Sequence, residues 1–400
     1  MEKPDVFQPV EAYDPPSLPT VDWLQATLTR LRTLVQRSDA QPFIADDRLQ
    51  RSTLDMLDQV VAPPACGPLV DELQATLGTW VDADQPTFCQ QLVVMPPCDE
   101  KGVMESWAER YGHQLLDAPA RDTLFTADAS SLPRLEGASL LVIPRLEEWF
   151  VRHRNGLALV RALLSRLNSL GRRCVIGCNS WAWAFLSKAV GAQLMLPNGL
   201  TFKPFDATRL SVWFAELAQA ESLDNIRFRL STSGRDVLAR DDDGDLVSDH
   251  FTTLAARSRG IPWVAWHMWR RSLRSTADQT TDTQAKPAPE HVDGVPTQRA
   301  LGTPDDEQTL WVVALEQFAL PGGDAGPDAL IVLQALLIHG ALSLEQLART
   351  TPIVGQSNVL AALIRSGVVQ RDGALFRCCP AAYPAIRSGL HTAGFSMDRL

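Results

Sequence analysis

The 400 residues carry 47 acidic against 37 basic side chains, a formal net charge of -10, with 45% apolar and 21% charged residues. Such a chain is an ordinary globular one, long enough for two or three domains, and its charge argues against wrapping nucleic acid over its whole surface, though not against a local basic face. No apolar run approaches the roughly 20 residues of a membrane span, residues 1–5 do not open a signal peptide, and the seven cysteines have no C-x-x-C spacing, so no membrane insertion, reduced thiols and a cytoplasmic location are expected.

Residues 1–20 hold five prolines and few aliphatic residues; they read as a disordered or extended tail, or as a strap across another surface. An N-terminal helical segment is expected over 21–65, with amphipathic helices at 21–36 (Trp23, Leu24, Leu28, Leu31, Leu34, Val35) and 49–61. The most informative stretch is 91–107, QLVVMPPCDEKGVMESW: a buried strand, a turn, a lysine, then an amphipathic helix, the context that a phosphate-binding P-loop needs. Set against G-x-x-x-x-G-K-[ST], the positions read Met95, Pro96, Pro97, Cys98, Asp99, Glu100, Lys101 and Gly102, and only Lys101 matches. The loop glycines and the magnesium-binding hydroxyl are missing, and Asp99 and Glu100 would oppose a phosphate: two like charges ~4 Å apart repel by about 4 kcal/mol at an effective dielectric near 20. Cys98 lies inside this loop, but no base is placed near it in sequence.

Residues 138–143 (ASLLVI) form a second apolar run, ending in Pro144 and Arg145 where a P-loop ATPase would carry its magnesium-binding acid. Glu147 and Glu148 follow; they read as the acidic first turn of a helix, and as substitutes for the missing acid only if the loop is rearranged. The basic cluster Arg152, His153, Arg154 reads as a solvated turn. A helix with a 3.6 period runs through Leu157, Val160, Leu163, Leu164, Leu167 and Leu170, and Cys174, Val175, Ile176 and Gly177 form a third buried strand. Asn179 at its end stands either as the N-cap of a helix over 181–190 or as a polar sensor facing a bound nucleotide. A short strand at 200–203 leads into a helix over 207–220. Apolar strands alternating with helices argue a mainly parallel sheet covered on both faces.

The blocks LVVMPP, EKG, ESWAERYG, LLVI, CVIGCNS and LTFKPFDATRLSVWF together resemble the ATPase module of AAA+ and STAND-type P-loop proteins with its nucleotide motifs degraded. The resemblance covers about 66–274 and implies an α/β fold, a P-loop-type sheet with helices on both faces (66–220), followed by a helical lid (221–274). In the family an arginine near the position of Trp263 touches nucleotide, and here tryptophan stands there. Trp263, Trp266 and Trp269 recur at i, i+3 and i+6 beside Arg270, Arg271 and Arg274, the core face of a helix with a basic end. Asp241, Asp242, Asp243 and Asp245 read as a turn, because the twelfth position of a calcium loop counted from Asp241 is Thr252.

Residues 275–308 read as a flexible linker. Beyond it, over 309–400, helices at 330–339, 344–349 and 357–365 followed by a hairpin turning at Asp372 and Gly373 look like a winged helix, a module that AAA+ and STAND chains often append. Its second helix offers Gln356, Ser357, Asn358 and a single Arg365, too little charge for strong phosphate attraction. The expected function is a non-hydrolysing regulatory or scaffolding protein acting through a protein partner, with no catalytic or metal-binding residues assigned. Lys101, Gly102 and Asn179 are the residues that would touch ATP or ADP, weakly if at all. A nucleotide-binding ATPase using a divergent loop and a DNA-binding regulator working through the winged helix are the alternatives.

Overall fold

The computed structural model describes residues 7–18, 49–51, 67–83, 88–100, 102–220, 226–276, 308–323 and 325–400. The chain is mixed α/β, built around a six-stranded sheet. Its strands are β1 (Gln8–Pro9), β3 (Gln90–Met95), β4 (Gln114–Leu115), β5 (Leu141–Ile143), β6 (Cys174–Asn179) and β7 (Leu200–Thr201), in the spatial order β1-β7-β3-β6-β5-β4. Every pairing is parallel except β1 with β7. The register aligns Met95 with Asn179 and Ile143 with Ile176, so the loop after β3, the Pro144 turn after β5 and the end of β6 lie side by side at the carboxyl edge of the sheet. That edge is where open α/β sheets place their sites.

The apolar runs explain the burial. Leu92 to Met95, Leu141 to Ile143 and all six residues of β6 are buried, as strands covered on both faces must be. The helices of this part are α1 (Gly67–Asp82), α2 (Val103–Arg110), α3 (Ala158–Ser169), α4 (Ser180–Val190) and α5 (Ala207–Ala220). In α3, Leu159, Val160, Leu163, Leu164 and Leu167 are buried, the stripe that the 3.6 period predicts. Gly177 in the middle of β6 is there for close approach: a Cβ would fall 2.1 Å from the carbonyl oxygen of Pro144 and 2.9 Å from Cγ of Met104.

The proline-rich start is not a disordered tail where it is described. Phe7, Val10 and Tyr13 are buried, Phe7 and Tyr13 meet Phe202 edge-on, and the Tyr13 hydroxyl donates to the carbonyl oxygen of Arg259 at 2.8 Å. Three apolar side chains in twelve residues are enough to hold it as a strap. The helix expected over 21–36 lies outside the described residues. The one expected over 49–61 is corrected at its start, where β2 (Leu49–Arg51) is a strand.

The stretch expected as a helical lid holds α6 (His250–Ser258) and α7 (Pro262–Ser272) together with β8 (Ile226–Leu230) and β9 (Leu273–Thr276). With β2 and β10 (Gln308–Val312) these form a second sheet, ordered β2-β9-β10-β8. Both ends of the expected linker are therefore strands, because β9 and β10 pair with each other through Leu273 with Val312 and Arg274 with Trp311; residues 277–307 lie outside the description. Trp263, Trp266 and Trp269 are all buried, as a core stripe should be.

The last part runs α8 (Ala325–His339), β11 (Ala341–Ser343), α9 (Leu344–Thr350), α10 (Val359–Arg365), β12 (Val369–Asp372), β13 (Leu375–Cys378) and α11 (Tyr383–Thr392). The strands form an antiparallel sheet ordered β11-β13-β12. Asp372 pairs with Leu375, so the two-residue turn is Gly373 and Ala374, one residue beyond the expected pair, with Gly373 supplying the positive φ of 57°. Ser343 opens α9 with a capping box closed by Gln346.

Candidate functional site

The loop between β3 and α2 is closed by its own side chains. Asp99 accepts hydrogen bonds from the backbone N–H groups of Gly102 and Val103, each at 3.0 Å. These are the first free donors of α2, the groups that a helix N-terminus offers to an anion, and the carboxylate occupies them. Burial raises the Asp99 pKa, opposed by Arg145 and by the two N–H bonds. Gly102 is left-handed at φ 68°, and a Cβ on it would come within 2.4 Å of the Glu105 carboxylate, so it serves the turn. Lys101 lies outside the described residues. Cys98 is also left-handed, at φ 69°, an uncommon state for a side-chain-bearing residue.

Arg145, at the end of β5, fills the space in front of this loop. Its Nε pairs with the Glu105 carboxylate and its Nη2 donates to the backbone oxygen of Asp99 at 3.0 Å. Burial lowers its pKa, but the carboxylates of Glu105, Glu147 and Asp99 outweigh burial and hold it above the ordinary value. A cation thus stands at the strand end where the AAA+ resemblance calls for a magnesium-binding acid.

Glu147 lies in the 3-10 turn Leu146–Glu148 and is buried. Its Oε2 accepts from the backbone N–H of Asn179 at 3.0 Å. Burial pushes its pKa up to about 7, against the pull of Arg145. Both polar atoms of the Asn179 side chain are engaged. Its Oδ1 accepts from Ala182 N–H at 2.7 Å, capping α4, and its Nδ2 donates to the carbonyl oxygen of Ile338 at 3.0 Å. It is an N-cap and a strut to α8.

The C-terminal part covers the edge of the sheet and encloses a cavity of about 460 Å³ between itself and the loop. Arg121 donates to the carbonyl oxygens of His339 and Ala341 at 3.0 and 2.7 Å. His339 is buried and held neutral by that burial and by Arg121 and Arg152; its Nε2 accepts from Arg152 N–H at 3.1 Å, which assigns the proton to Nδ1. Arg152 also donates to Gln334 at 2.9 Å, so within the basic turn Arg152 anchors α8 while Arg154 is exposed, as a solvated turn requires. On the hairpin side, Glu100 accepts from Arg377 at 3.3 Å and Gln370 at 3.4 Å and stands 4.0 Å from Nε2 of His267. The α7 side contributes Trp263, whose Nε1 donates to Pro97 O at 2.8 Å.

Among the described residues the cavity wall carries five carboxylates, Asp99, Glu100, Glu105, Glu147 and Glu148, against three guanidiniums, Arg121, Arg145 and Arg377. Of the residues singled out from sequence as nucleotide contacts, Gly102 and Asn179 come to this edge, beside Cys98, Asp99, Glu100, Glu147 and Glu148. Arg121, Arg145, His339 and Arg377 were missed. Only Asp99, three residues before Gly102, left a signal, that of a side chain able to cap the following helix. Among the described residues no group of three or more His, Cys, Asp or Glu is arranged to hold a metal ion, and no helix is long and apolar enough to cross a membrane. The acidic turn at Asp241 closes on itself, its Oδ1 accepting from the N–H groups of Asp243 and Asp245.

No protein-family model and no curated protein matches the chain. Among solved structures it is similar to Cdc6p from Pyrobaculum aerophilum, at 13% identity and a TM-score of 0.30 over 88% of this chain and 99% of that one. It is also similar to the Aeropyrum pernix ORC1 protein, solved in complex with DNA, at 14% identity and a TM-score of 0.33 over 83% and 93%. The Aeropyrum pernix ORC2 protein, solved as ADPNP–ADP complexes, is similar at 10% identity and a TM-score of 0.26 over 97% and 99%. Likenesses at these scores carry no argument about this chain.

Proposed function

We propose that the chain is a P-loop-type α/β protein that does not hydrolyse nucleotide and acts as a regulatory or scaffolding protein through contacts with a protein partner. One observation carries the first half of this reading: the Asp99 carboxylate sits on the Gly102 and Val103 N–H groups that would otherwise cradle a phosphate. Among the described residues of the cavity wall, with Glu147 protonated, four carboxylates face three guanidiniums, so the described wall offers a triphosphate no excess of positive charge. In this reading 66–220 is the ATPase-like domain, 221–274 the lid, and 309–400 a winged helix whose hairpin docks on the loop through Arg377 and Glu100.

Thermal unfolding of the purified chain with Mg·ATP, Mg·ADP and metal-free nucleotide tests it. A ligand at ~100 times its dissociation constant stabilises the fold by about 2.7 kcal/mol; the expected result is no shift at millimolar nucleotide. Turnover of ATP by the purified chain, abolished by Lys101→Ala, would overturn the reading, and a magnesium-dependent shift without turnover would favour nucleotide binding through a divergent loop. The cavity beside the loop, with Arg121, Arg145 and Arg377 on its wall, is the observation on which that second reading rests. Lys101, Gly102 and Asn179 are the nucleotide contacts it assigns.

A further inference from the structure

Three of the cysteines lie on the two segments that come together where the C-terminal part closes over the loop. Cys98 and Cys378 line the same cavity, and Cys379 follows Cys378 at the end of β13. The ion pair between Glu100 and Arg377 pins the two segments together, and it does so two residues after Cys98 and two residues before Cys379. A side chain two places along an extended strand points to the same face, so Cys379 leaves the backbone on the side from which Arg377 reaches Glu100. On the other flank, Trp263 holds the loop by its hydrogen bond to Pro97, while the helix that carries it, α7, packs against the turn Pro380–Ala382 that follows Cys379. The loop is therefore clamped against the thiol-bearing turn from two directions, with Cys98 itself held in the left-handed conformation.

We propose that Cys98 and the adjacent pair Cys378 and Cys379 form a redox-controlled latch, in which a disulfide from Cys98 to one of the pair locks the C-terminal part over the loop. Two S–H bonds break and one S–S bond forms. The two protons and two electrons pass to a two-electron oxidant such as a hydroperoxide, whose O–O bond breaks to give an alcohol and one water, or two waters from hydrogen peroxide. Cys98 is within electrostatic reach of both Cys378 and Cys379, so a thiolate on one would raise the pKa of its neighbour. Burial, then Cys379 and Glu100, raise the Cys98 pKa, with Arg377 opposing, and burial raises Cys379 against Arg271. Both thiols therefore stay protonated in the resting protein and react only through a small thiolate fraction, so the latch closes slowly, and faster as pH rises. The latch closes a loop of nearly three hundred residues, and it would hold the hairpin in place whether or not nucleotide binds.

The test uses the full chain, treated with diamide at pH 8.5, with remaining thiols alkylated and peptides mapped by mass spectrometry. The expected product is one cross-linked peptide pair joining Cys98 to Cys378 or Cys379, accompanied by a rise in Tm of several degrees that a reductant reverses. Both signals should vanish in Cys98→Ser and Cys98→Ala and in the double variant Cys378→Ser/Cys379→Ser, and should survive in Cys89→Ser and Cys174→Ser. A bond confined to Cys378 and Cys379, oxidation of Cys98 alone, or cross-linking that persists without Cys98 would each overturn the latch. None of these outcomes depends on nucleotide, so failure here and failure of the non-hydrolysing reading are separable.

Discussion

At the scale of single residues, Asp99 and Glu147 decide what the cavity can accept. Asp99 supplies the negative charge that the start of α2 would otherwise take from a ligand. Replacing it with glycine removes two hydrogen bonds to the backbone, a net loss of about 1–2 kcal/mol, and should leave the Gly102 and Val103 N–H groups open. The Asp99→Gly protein is then expected to gain thermal stabilisation from millimolar pyrophosphate that the parent lacks; an equal response in both would show that the carboxylate is not the obstacle. Glu147 makes a second, pH-dependent prediction. Its pKa is 4.5 in an unfolded reference and about 7 in the folded protein. Below pH 4.5 both states are protonated and the group costs nothing. Between 4.5 and 7 the unfolded chain releases the proton while the folded one keeps it, so stability falls as pH rises, and above 7 the loss is complete. The shift corresponds to on the order of 3 kcal/mol. Glu147→Gln, which keeps an oxygen acceptor for Asn179 N–H, should match the parent in denaturant unfolding near pH 4.5 and exceed its stability by about 2–3 kcal/mol at pH 8.

Elements differ in how much of them the sequence discloses. The strands β3, β5 and β6 are continuous apolar runs because both of their faces are covered, and such runs are legible without any knowledge of partners. The second sheet is different. Gln308–Val312 and Leu273–Thr276 are short, carry polar residues and are joined by pairings remote in sequence, so the polar composition after Arg274 looked like the start of a linker. Likewise the cavity is built from segments more than two hundred residues apart, such as Glu100 with Arg377 and Arg121 with His339, and no local spacing announces contacts of that kind. Position-specific demands were also hidden: Gly177 reads as an ordinary strand glycine until Pro144 is seen lying against it. Gly177→Ala puts a methyl 2.1 Å from the Pro144 oxygen, and since backbone cannot rotate out of the way as a side chain can, the loss should be about 3 kcal/mol, the upper part of the overpacking range. A denaturant midpoint that barely moves would mean that the Pro144 turn, and Arg145 with it, is free to shift.

Over the whole molecule, the packing of the C-terminal part depends on a buried polar knot as well as on apolar area. The Asp398 side chain has no exposure and is paired with Arg387, accepts from the Ser180 hydroxyl, and lies 3.5 Å from the hydroxyl of Tyr383, to which Trp181 donates at 3.1 Å. Ser180 and Trp181 begin α4, directly after Asn179, so the same turn that borders the cavity is tied to the last helix. A buried ion pair adds little net stability against an apolar replacement, but removal of one partner strands the other. Asp398→Ala should therefore destabilise the fold by about 3–5 kcal/mol, and adding Arg387→Met should restore a large part of that loss, because the uncompensated cation is gone. The cycle is closed with Arg387→Met alone, measured by denaturant unfolding followed both by tryptophan fluorescence and by far-UV circular dichroism. If the knot joins the two parts into one cooperative unit, the two probes coincide in the parent and separate in Asp398→Ala, where the C-terminal part is released first. If instead Asp398→Ala is mild, or the second substitution makes matters worse by the full cost of another buried partner, then the apolar contacts of α8 with α4 hold the C-terminal part in place and the knot only fixes its orientation.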